Sequence, residues 1–326
     1  MRKSIGIDVA SEKLDVAIYD GSKFILEKTF SNNKKGIDQI LKLASENPGI
    51  HVTMEATGSY HFKIAHALFQ LKVEVSVVNP LVIKRFNEMK MLRNKTDRID
   101  ARMIALYGSE QKPTLYKPKT QEEELLRNLT ETRNSFISTI NSNKNRIHAL
   151  KKSAYEHHSI FEAYEKINQA LKNEIKKISK QIKELIHKIY FVESQILDEL
   201  KGIGPVCKSI IFGHLSGFKN FDNAKQVCAF IGISPSKKES GKSVHGKGKI
   251  NRKGNPYIRS IFYMLSLSAI RCNPTCKAFY ERLLKMGKEK KLALVAVANK
   301  LIKILFALVK FKRHFDPNYL NKNFAF

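Results

Sequence analysis

The sequence predicts an α/β region at the amino-terminal end, followed by a longer region that is a helical coiled-coil hairpin and then mainly α-helical. Three observations predict this architecture. Short β-patterned runs alternate with helical runs over the first ~110 residues, glycine and proline almost disappear over the next ~75 residues, and helical spacing dominates the remainder. We place the region boundaries at 1–120, 121–195 and 196–326, and the chain is long enough for about two domains.

The first region is expected to contain five strands and three helices. Alternating runs predict strands at 4–8, 14–19, 23–30, 51–55 and 73–78, and helically spaced runs predict helices at 36–46, 61–71 and 96–107. The order βββαβαβα is that of the ribonuclease-H-like fold, an analogy that concerns the fold alone. In that arrangement the first and fourth strands are neighbours, and the helix after the fifth strand packs beside them.

The second region carries two apolar stripes with the spacing of heptads. The first stripe consists of Leu126, Leu129, Phe136, Ile140, Ile147 and Leu150, and the second of Leu171, Ile175, Ile178, Ile182, Leu185 and Ile189. The polar residues Arg133 and Asn143 interrupt the first stripe. Two long helices that fold back as a coiled-coil hairpin would satisfy both stripes, and so would pairing between subunits.

The third region begins near a glycine-rich turn. Residues 200–205, LKGIGP, contain the Gly-x-Gly of a helix–hairpin–helix turn, whose backbone N–H groups can approach a phosphate. A plain connection between two helices explains the same residues equally well. Helical patterns follow at 224–230, 256–270 and 293–310, and the last is apolar enough to be a core helix.

The charge of the chain points to a polyanionic partner. Lys and Arg number 58 against 30 Asp and Glu, a formal net charge of +28, and such an excess opposes compaction unless it is screened. No apolar run reaches the ~20 residues of a membrane span, and no signal peptide precedes the first strand. We therefore expect nucleic acid as the partner and a cytoplasmic location near the nucleoid. The cysteines are expected to be reduced, with a metal clip at Cys272 and Cys276 as the alternative.

Four carboxylates stand where the predicted fold can bring them together. Asp8 lies in the first strand and Glu55 ends the fourth, while Asp97 and Asp100 share one face of a predicted helix. Each acid alone is also typical of a turn or a helix cap, and Asp97 suits the first turn after Thr96.

Carboxylates that are packed together repel one another, and a hard divalent cation offsets that repulsion. Mg²⁺ prefers carboxylate and water oxygens, and two ions about 3.5–4 Å apart can hold the attacking and leaving oxygens of a phosphoryl transfer. The sequence therefore predicts a Mg²⁺ site for phosphoryl transfer. Glu12 and Asp15 are nearby acids that we expect at the surface.

A basic, glycine-rich loop at 234–259 is the second candidate site. It holds eight Lys or Arg and one acid, Glu239, and its glycines allow close approach to a phosphate backbone. Ser240, Ser243 and Tyr257 are its possible nucleophiles. Across the chain, the basic side chains expected to bind nucleic acid are Arg93, Lys95, Lys242, Lys247, Lys249, Arg252, Lys253 and Arg259. A solvated charged loop is the alternative.

Several blocks of this sequence resemble the DEDD transposases of insertion sequences, which are bridge-RNA-guided recombinases. The amino-terminal blocks are IGIDVASEKLDVAIYD, MEATGSY, VVNP and LRNKTDRIDARMIA. The carboxy-terminal blocks are GIGPV and FIGISPSKKESGKSVHGKGKINRKGN. Together the blocks span nearly the whole chain, with the heptad region between them.

The resemblance implies a RuvC-like domain in which Asp8, Glu55, Asp97 and Asp100 hold Mg²⁺, and it implies Ser240 as the nucleophile of a covalent serine–DNA linkage. It also implies donor and target DNA, a structured non-coding guide RNA that pairs with both, and a homo-oligomer that is a tetramer. A covalent link conserves bond energy, in keeping with the absence of a GxxxxGK[ST] loop. The remaining hypotheses are a metal-dependent nuclease or junction resolvase that uses water, and a nucleic-acid-binding protein without catalysis.

Overall fold

The computed structural model describes residues 2–91, 97–152, 155, 158–236, 239–240, 244–245, 249–250 and 254–316. At 97, 98, 236, 239, 240, 244, 245 and 249 it describes the backbone alone. The chain forms two compact units, Met1–Pro118 and Lys119–Phe326. An α/β fold occupies the first unit, and helices dominate the second.

The first unit is built on a five-stranded mixed sheet. Its strands are β1 (Ser4–Val9), β2 (Lys13–Tyr19), β3 (Phe24–Ser31), β4 (His51–Glu55) and β5 (Glu74–Val78). The sheet order is β3-β2-β1-β4-β5, in which β1, β2 and β3 pair antiparallel and β1, β4 and β5 pair parallel. The prediction that the first and fourth strands are neighbours is therefore confirmed.

Four helices accompany the sheet. They are α1 (Lys34–Ser45), α2 (Phe62–Gln70), α3 (Pro80–Met89) and α4 (Asp97–Gln111). Helix α3 was not predicted from the sequence, because Asn79 and Pro80 are also typical of the end of a strand. In the structure the Asn79 side chain accepts a hydrogen bond from the Leu81 N–H and Pro80 occupies the first turn, a favourable helix start.

The two faces of the sheet differ in polarity. One face is apolar and packs against α1 and α2, with Ile5, Ile7, Val52, Met54 and Val75 among its buried side chains. The opposite face is more polar and lies against α4. On this face Ser4 Oγ donates to the Ala105 carbonyl at 2.6 Å, and Gly6 lies against the same helix. Alternation along β1 therefore directs Asp8 to the α4 face.

Gly6 sets the distance between β1 and α4. A methyl group at this position would overlap main-chain atoms of Ala101 and Ala105, which cannot swing away as a side chain would. We expect Gly6→Ala to lower the free energy of unfolding by about 3 kcal/mol, the upper end for overpacking. Urea denaturation of the full chain measures this loss. Gly204→Ala, which meets no atom within 4 Å, is the control, and equal midpoints for the two variants would contradict the prediction.

The second unit begins with a helical hairpin of α5 (Gln121–Leu150) and α6 (His158–Ile189). The polar interruptions of the first stripe find partners across the hairpin. Asn143 Nδ2 donates to Asn168 Oδ1 at 2.9 Å, and Arg133 Nε donates to Ser179 Oγ at 3.0 Å. Ile140, Ile178 and Ile182 are buried within the same chain. Of the two open alternatives, the structure therefore contains the hairpin within one chain.

Six further helices follow in the described part of the second unit. They are α7 (Phe191–Asp198), α8 (Pro205–Ser209), α9 (Ala224–Ile231), α10 (Pro256–Cys272), α11 (Pro274–Lys285) and α12 (Lys290–Lys310), with a π-helical turn (Ile210–His214) continuing α8. Residues 199–204 form the turn between α7 and α8, with Gly202 at φ 97°. By length and composition α12 is apolar enough to cross a membrane, in contrast to the sequence expectation. It lies in the core, with Val297, Leu301 and Leu305 fully or almost fully buried.

Candidate active site

Asp8 and Glu55 lie side by side on neighbouring parallel strands. Ile7 of β1 pairs with Met54 of β4, so the next residue on each strand, Asp8 and Glu55, is at the same level of the sheet. Both side chains are half-buried. Successive residues on a strand point to opposite faces, so both acids share the face that Gly6 presents to α4.

The first turn of α4 lies near these two strand residues. Ser4 contacts Ala105, and Gly6 contacts Ala101 and Ala105, so β1 and α4 run in opposite directions. Two residues along a strand span about 7 Å and four along a helix about 6 Å, which brings Asp8 toward the start of α4. Asp97 and Asp100 lie in that first turn.

The four-carboxylate Mg²⁺ site remains a prediction. Asp8, Glu55 and Asp100 belong to the described part of the chain, whereas the side chain of Asp97 does not. Among the side chains that the structure describes, no three His, Cys, Asp or Glu residues are grouped closely enough to hold a metal ion. The donor types fit Mg²⁺, because carboxylate oxygens are its preferred protein ligands.

Asp15 is a correction to the sequence analysis, which expected it at the surface. Its residue is only 5% exposed, and it lies directly opposite Asp8 in the β1–β2 pairing. Its carboxylate accepts a hydrogen bond from Thr29 Oγ1 and lies 3.4 Å from Lys13 Nζ. Like charges directly opposite in a strand pair are unfavourable, so the pair Asp8 and Asp15 favours a nearby cation. Glu12 is exposed, as expected.

A buried histidine network lies on the same sheet face, farther from Asp8. His51 Nε2 is 2.8 Å from Ser76 Oγ, and His51 Nδ1 is 3.2 Å from Thr53 Oγ1. Ser76 in turn donates to the Pro113 carbonyl. Burial, with a smaller contribution from the Arg2 charge, lowers the pKa of His51 to about 4. The imidazole is therefore neutral at physiological pH and holds polar groups under α4.

The depressed pKa of His51 predicts acid sensitivity. Between pH 6.5 and about 4, the unfolded chain binds a proton at this position that the folded chain does not bind. The free energy of unfolding should therefore fall as the pH drops through this window, by up to about 3 kcal/mol at its lower end. Urea titrations from pH 7 to 4 measure the slope. His51→Gln should flatten it and the exposed-site variant His66→Gln should not, so equal slopes in all three proteins would contradict the assignment.

Ser240 lies in a small hairpin built from two nested ladders. The outer ladder pairs β6 (Pro235–Ser236) with β9 (Lys249–Ile250), and the inner ladder pairs β7 (Glu239–Ser240) with β8 (Val244–His245). We call these two ladders together, from β6 to β9, the serine hairpin. Ser240 pairs with Val244. The basic, glycine-rich pattern predicts a loop here, and the two ladders are a difference from that prediction.

Most of the basic residues assigned to nucleic acid lie outside the described residues. They are Arg93, Lys95, Lys242, Lys247, Arg252 and Lys253. Lys249 is described by its backbone alone, in β9. Arg259 is described fully, and its Nη1 donates to the carbonyl oxygens of Ile231 at 3.2 Å and Gly254 at 3.3 Å. The contacts seen for Arg259 are therefore internal, and its binding to nucleic acid remains a prediction.

Tyr257 is a poor candidate for the nucleophile. Its hydroxyl donates to Asn134 Oδ1 of α5 at 2.6 Å, and burial raises the pKa of Tyr257. A phenol that is half-buried, hydrogen-bonded and harder to ionise serves packing better than nucleophilic attack. The four cysteines are free thiols, and burial raises the pKa of Cys207 to about 12 and that of Cys228 to about 11. These two thiols are unreactive at neutral pH.

Comparison with known protein families covers both units of the chain. A family model of the DEDD type of the IS110 group, described as a transposase, matches residues 5–155. A second model, described as the transposase of the IS116/IS110/IS902 family, matches residues 194–281. The chain belongs to the IS110/IS116/IS902 family of transposases. In this transposase the first matched segment spans Asp8, Glu55, Asp97 and Asp100, and the second spans Ser240.

Curated relatives match the transposase over nearly its full length. The pilin gene-inverting protein of Moraxella bovis is 28% identical, over 96% of this chain and 97% of that protein. A putative transposase of Sinorhizobium fredii is 25% identical, over 87% and 79%, and a probable family 20 transposase of Pseudomonas aeruginosa is 22% identical, over 96% and 98%. The family makes this chain a DNA-processing enzyme.

A solved structure also resembles part of the transposase. RuvC of Thermus thermophilus, in complex with a Holliday junction substrate, is 14% identical and covers 36% of this chain and all of its own, with a TM-score of 0.27. A likeness at this level has no bearing on the chemistry of the chain. The topology of the five-stranded sheet is assigned from its own strand order, β3-β2-β1-β4-β5.

Proposed function

We propose that this transposase cleaves and rejoins DNA strands through a covalent serine–DNA intermediate at Ser240. Asp8, Glu55, Asp97 and Asp100 are the residues that would hold Mg²⁺. The single observation that carries the proposal is the alignment of Asp8 and Glu55 on adjacent parallel strands, on the face that packs against α4. Two acids at one level of a sheet can contribute ligands to a divalent metal that acts in phosphoryl transfer, and we propose Asp97 and Asp100 of α4 as the remaining ligands.

In this proposal the carboxylates concentrate negative charge on the face of the sheet that packs against α4, where Mg²⁺ would bind. Asp8 and Asp15 repel across the strand pair, and Glu55 adds a third charge from β4. When bound, Mg²⁺ would offset this repulsion and stabilise the charge on the DNA phosphate. Thr29 Oγ1 donates a hydrogen bond to the Asp15 carboxylate and Lys13 Nζ lies close to it, so Asp15 is held within the sheet.

The serine supplies the covalent step. Its hydroxyl oxygen attacks a DNA phosphorus, the serine–phosphate ester bond forms, and the bond from phosphorus to one deoxyribose oxygen breaks. The serine proton passes to a base, and the departing deoxyribose oxygen takes up a proton. In the reverse direction a DNA hydroxyl attacks the ester, rejoins the strand and releases the serine, so the energy of the phosphodiester is retained.

The relatives support rejoining over simple hydrolysis. The Moraxella proteins are named for inverting a pilin gene, and an inversion requires that every broken strand be joined to a new partner. Hydrolysis by water, as a nuclease or junction resolvase would perform it, leaves ends that need a separate ligase. By analogy, strand exchange is the activity proposed for this chain.

The partners proposed are donor DNA, target DNA and a structured guide RNA, bound by a tetramer. The net charge of +28 supports extensive phosphate contact, which gives affinity without sequence choice. Base pairing by an RNA would then supply sequence choice, as it does in RNA-guided nucleases. In a tetramer Ser240 of one subunit can form an active site together with the carboxylates of another subunit.

Strand exchange on purified components tests the proposal. Donor and target DNA are mixed with the full chain and with RNA transcribed from the flank of the element, in Mg²⁺ or in EDTA. We expect recombinant DNA and a denaturation-resistant protein–DNA adduct in Mg²⁺ and neither in EDTA. Hydrolysed ends without an adduct would indicate the water-dependent nuclease. Recombination that is indifferent to the RNA would overturn guidance and leave the serine chemistry standing.

A further inference from the structure

We infer that Arg259, supported by Tyr257, is a positioning residue that fixes the base of the serine hairpin to the helical body of the second unit. The inference rests on the proposed role of Ser240. It assigns to Arg259 a task inside the protein, in place of the phosphate contact that the sequence suggested.

The two ends of the serine hairpin meet at one place. The chain enters the hairpin from the end of α9 and leaves it at Gly254, which lies directly against the same helix end. A methyl group at residue 254 would overlap the carbonyl oxygens of Phe230 and Ile231. The outer ladder, in which Pro235 pairs with Ile250, then holds the two strands together above this point. The base of the hairpin is therefore defined by main-chain contact.

Arg259 connects the entry and the exit of the hairpin. One guanidinium nitrogen, Nη1, donates both to Ile231 O at 3.2 Å and to Gly254 O at 3.3 Å. Ile231 is the last residue of α9, where carbonyl oxygens lack helical partners and carry partial negative charge. A cationic donor is therefore well matched to this position, and the planar guanidinium directs its donors more rigidly than a lysine ammonium does.

Tyr257 and Asn255 tie the same base to the helical hairpin. Asn255 caps α10, since its side chain accepts from the Tyr257 N–H at 2.9 Å. The Tyr257 hydroxyl donates to Asn134 Oδ1 on α5 at 2.6 Å. The first turn of α10, which presents Arg259 one turn from its start, is thereby fixed to α5. The base of the hairpin is held from both α9 and α5.

Position matters because a nucleophile acts only from a narrow range of geometries. A misplacement of about 1 Å can cost on the order of 10²-fold in rate. Ser240 lies in β7, between the entry and the exit that Arg259 connects, so a movement of the base would also displace Ser240. Arg259 therefore acts through the placement of Ser240 and not on the DNA itself.

The test compares Arg259→Gln with Arg271→Gln, a matched loss of charge at an exposed residue of the same helix. Three quantities are measured on the full chain: the affinity for DNA with its salt dependence, the rate of adduct formation at saturating DNA, and hydrogen–deuterium exchange in peptides spanning 232–250. We expect Arg259→Gln to keep the affinity of the control, to lower the rate about 10- to 100-fold, and to speed exchange in the hairpin. Arg259→Lys should recover only part of the rate.

Tyr257→Phe is the second variant, because it removes one hydroxyl and keeps the ring. It should change rate and exchange in the same direction as Arg259→Gln, by a smaller factor. Weakened DNA binding with a salt slope reduced by about one, at an unchanged saturating rate, would identify Arg259 as a phosphate contact and overturn the inference. Unchanged exchange in both variants would also overturn it. Adduct formation by Ser240→Ala would refute the proposed function alone, since exchange still reports on anchoring.

Discussion

Replacing Asp8 by Asn is expected to abolish metal-dependent DNA cleavage, with a loss of several orders of magnitude in single-turnover rate. The substitution keeps the shape of the side chain and removes its charge. Asp8 has Glu55 beside it on β4 and Asp15 opposite it on β2, so it lies at the centre of the acidic positions of the sheet. A neutral amide there would weaken Mg²⁺ binding, because carboxylate oxygens are the ligands that this cation prefers.

Two measurements check this expectation. The cleavage rate is measured at increasing Mg²⁺, and Mn²⁺ binding is measured separately by electron paramagnetic resonance in the absence of DNA. Glu12→Gln provides the control, since it removes one charge from an exposed acid in the turn between β1 and β2. Asp8→Asn with normal metal binding and normal cleavage would exclude Asp8 from the site.

Replacing Ser240 by Ala is expected to remove strand exchange with a comparable loss of rate, because the substitution removes the hydroxyl proposed to attack the DNA phosphate. DNA binding should be unchanged, since the hydroxyl contributes little to a contact dominated by charge. The assay follows recombinant product over time at saturating DNA. Ser243→Ala, three residues farther along the same hairpin, is the matched control and should retain activity. The reverse pattern would assign the nucleophile to Ser243.

The five strands of the first unit could be predicted because the alternation of apolar and polar residues is enough to locate a half-buried strand. Alternation of apolar residues marked all five strands, and the fold analogy put the first and fourth strands together, as β1 and β4 are. Helix α3 was missed although Asn79 and Pro80 form a strong start signal, because the same residues also end a strand. When the same residues can end a strand and start a helix, the sequence around them does not show whether a helix follows.

Residues whose environment depends on distant partners were harder to predict. The expectation that Asp15 lies at the surface is wrong because the β1–β2 register, which the sequence leaves open, places it opposite Asp8 on the face that packs against α4. Asn143 and Arg133 were recognised as interruptions, yet their partners Asn168 and Ser179 follow from the way α5 and α6 align. The sequence leaves such alignments open, and for that reason pairing within the chain and pairing between subunits are both open alternatives at the level of the sequence.

The serine hairpin shows the same limit. Its glycines and lysines carry no alternating apolar pattern, so the ladders of β6 with β9 and β7 with β8 could not be predicted from periodicity. Arg259 was grouped with the phosphate-binding residues by charge alone. Its contacts with Ile231 and Gly254 become visible only when the end of α9 and the start of α10 are brought together.

Mass spectrometry of the trapped protein–DNA adduct tests the central claim most directly. The adduct is formed in Mg²⁺, digested with protease and nuclease, and the peptide that carries a nucleotide is sequenced by fragmentation. We predict a phosphodiester on Ser240, formed by the wild-type chain and absent from Asp8→Asn. A nucleotide on Ser243 or Tyr257, or hydrolysed DNA ends with no modified peptide, would contradict the claim.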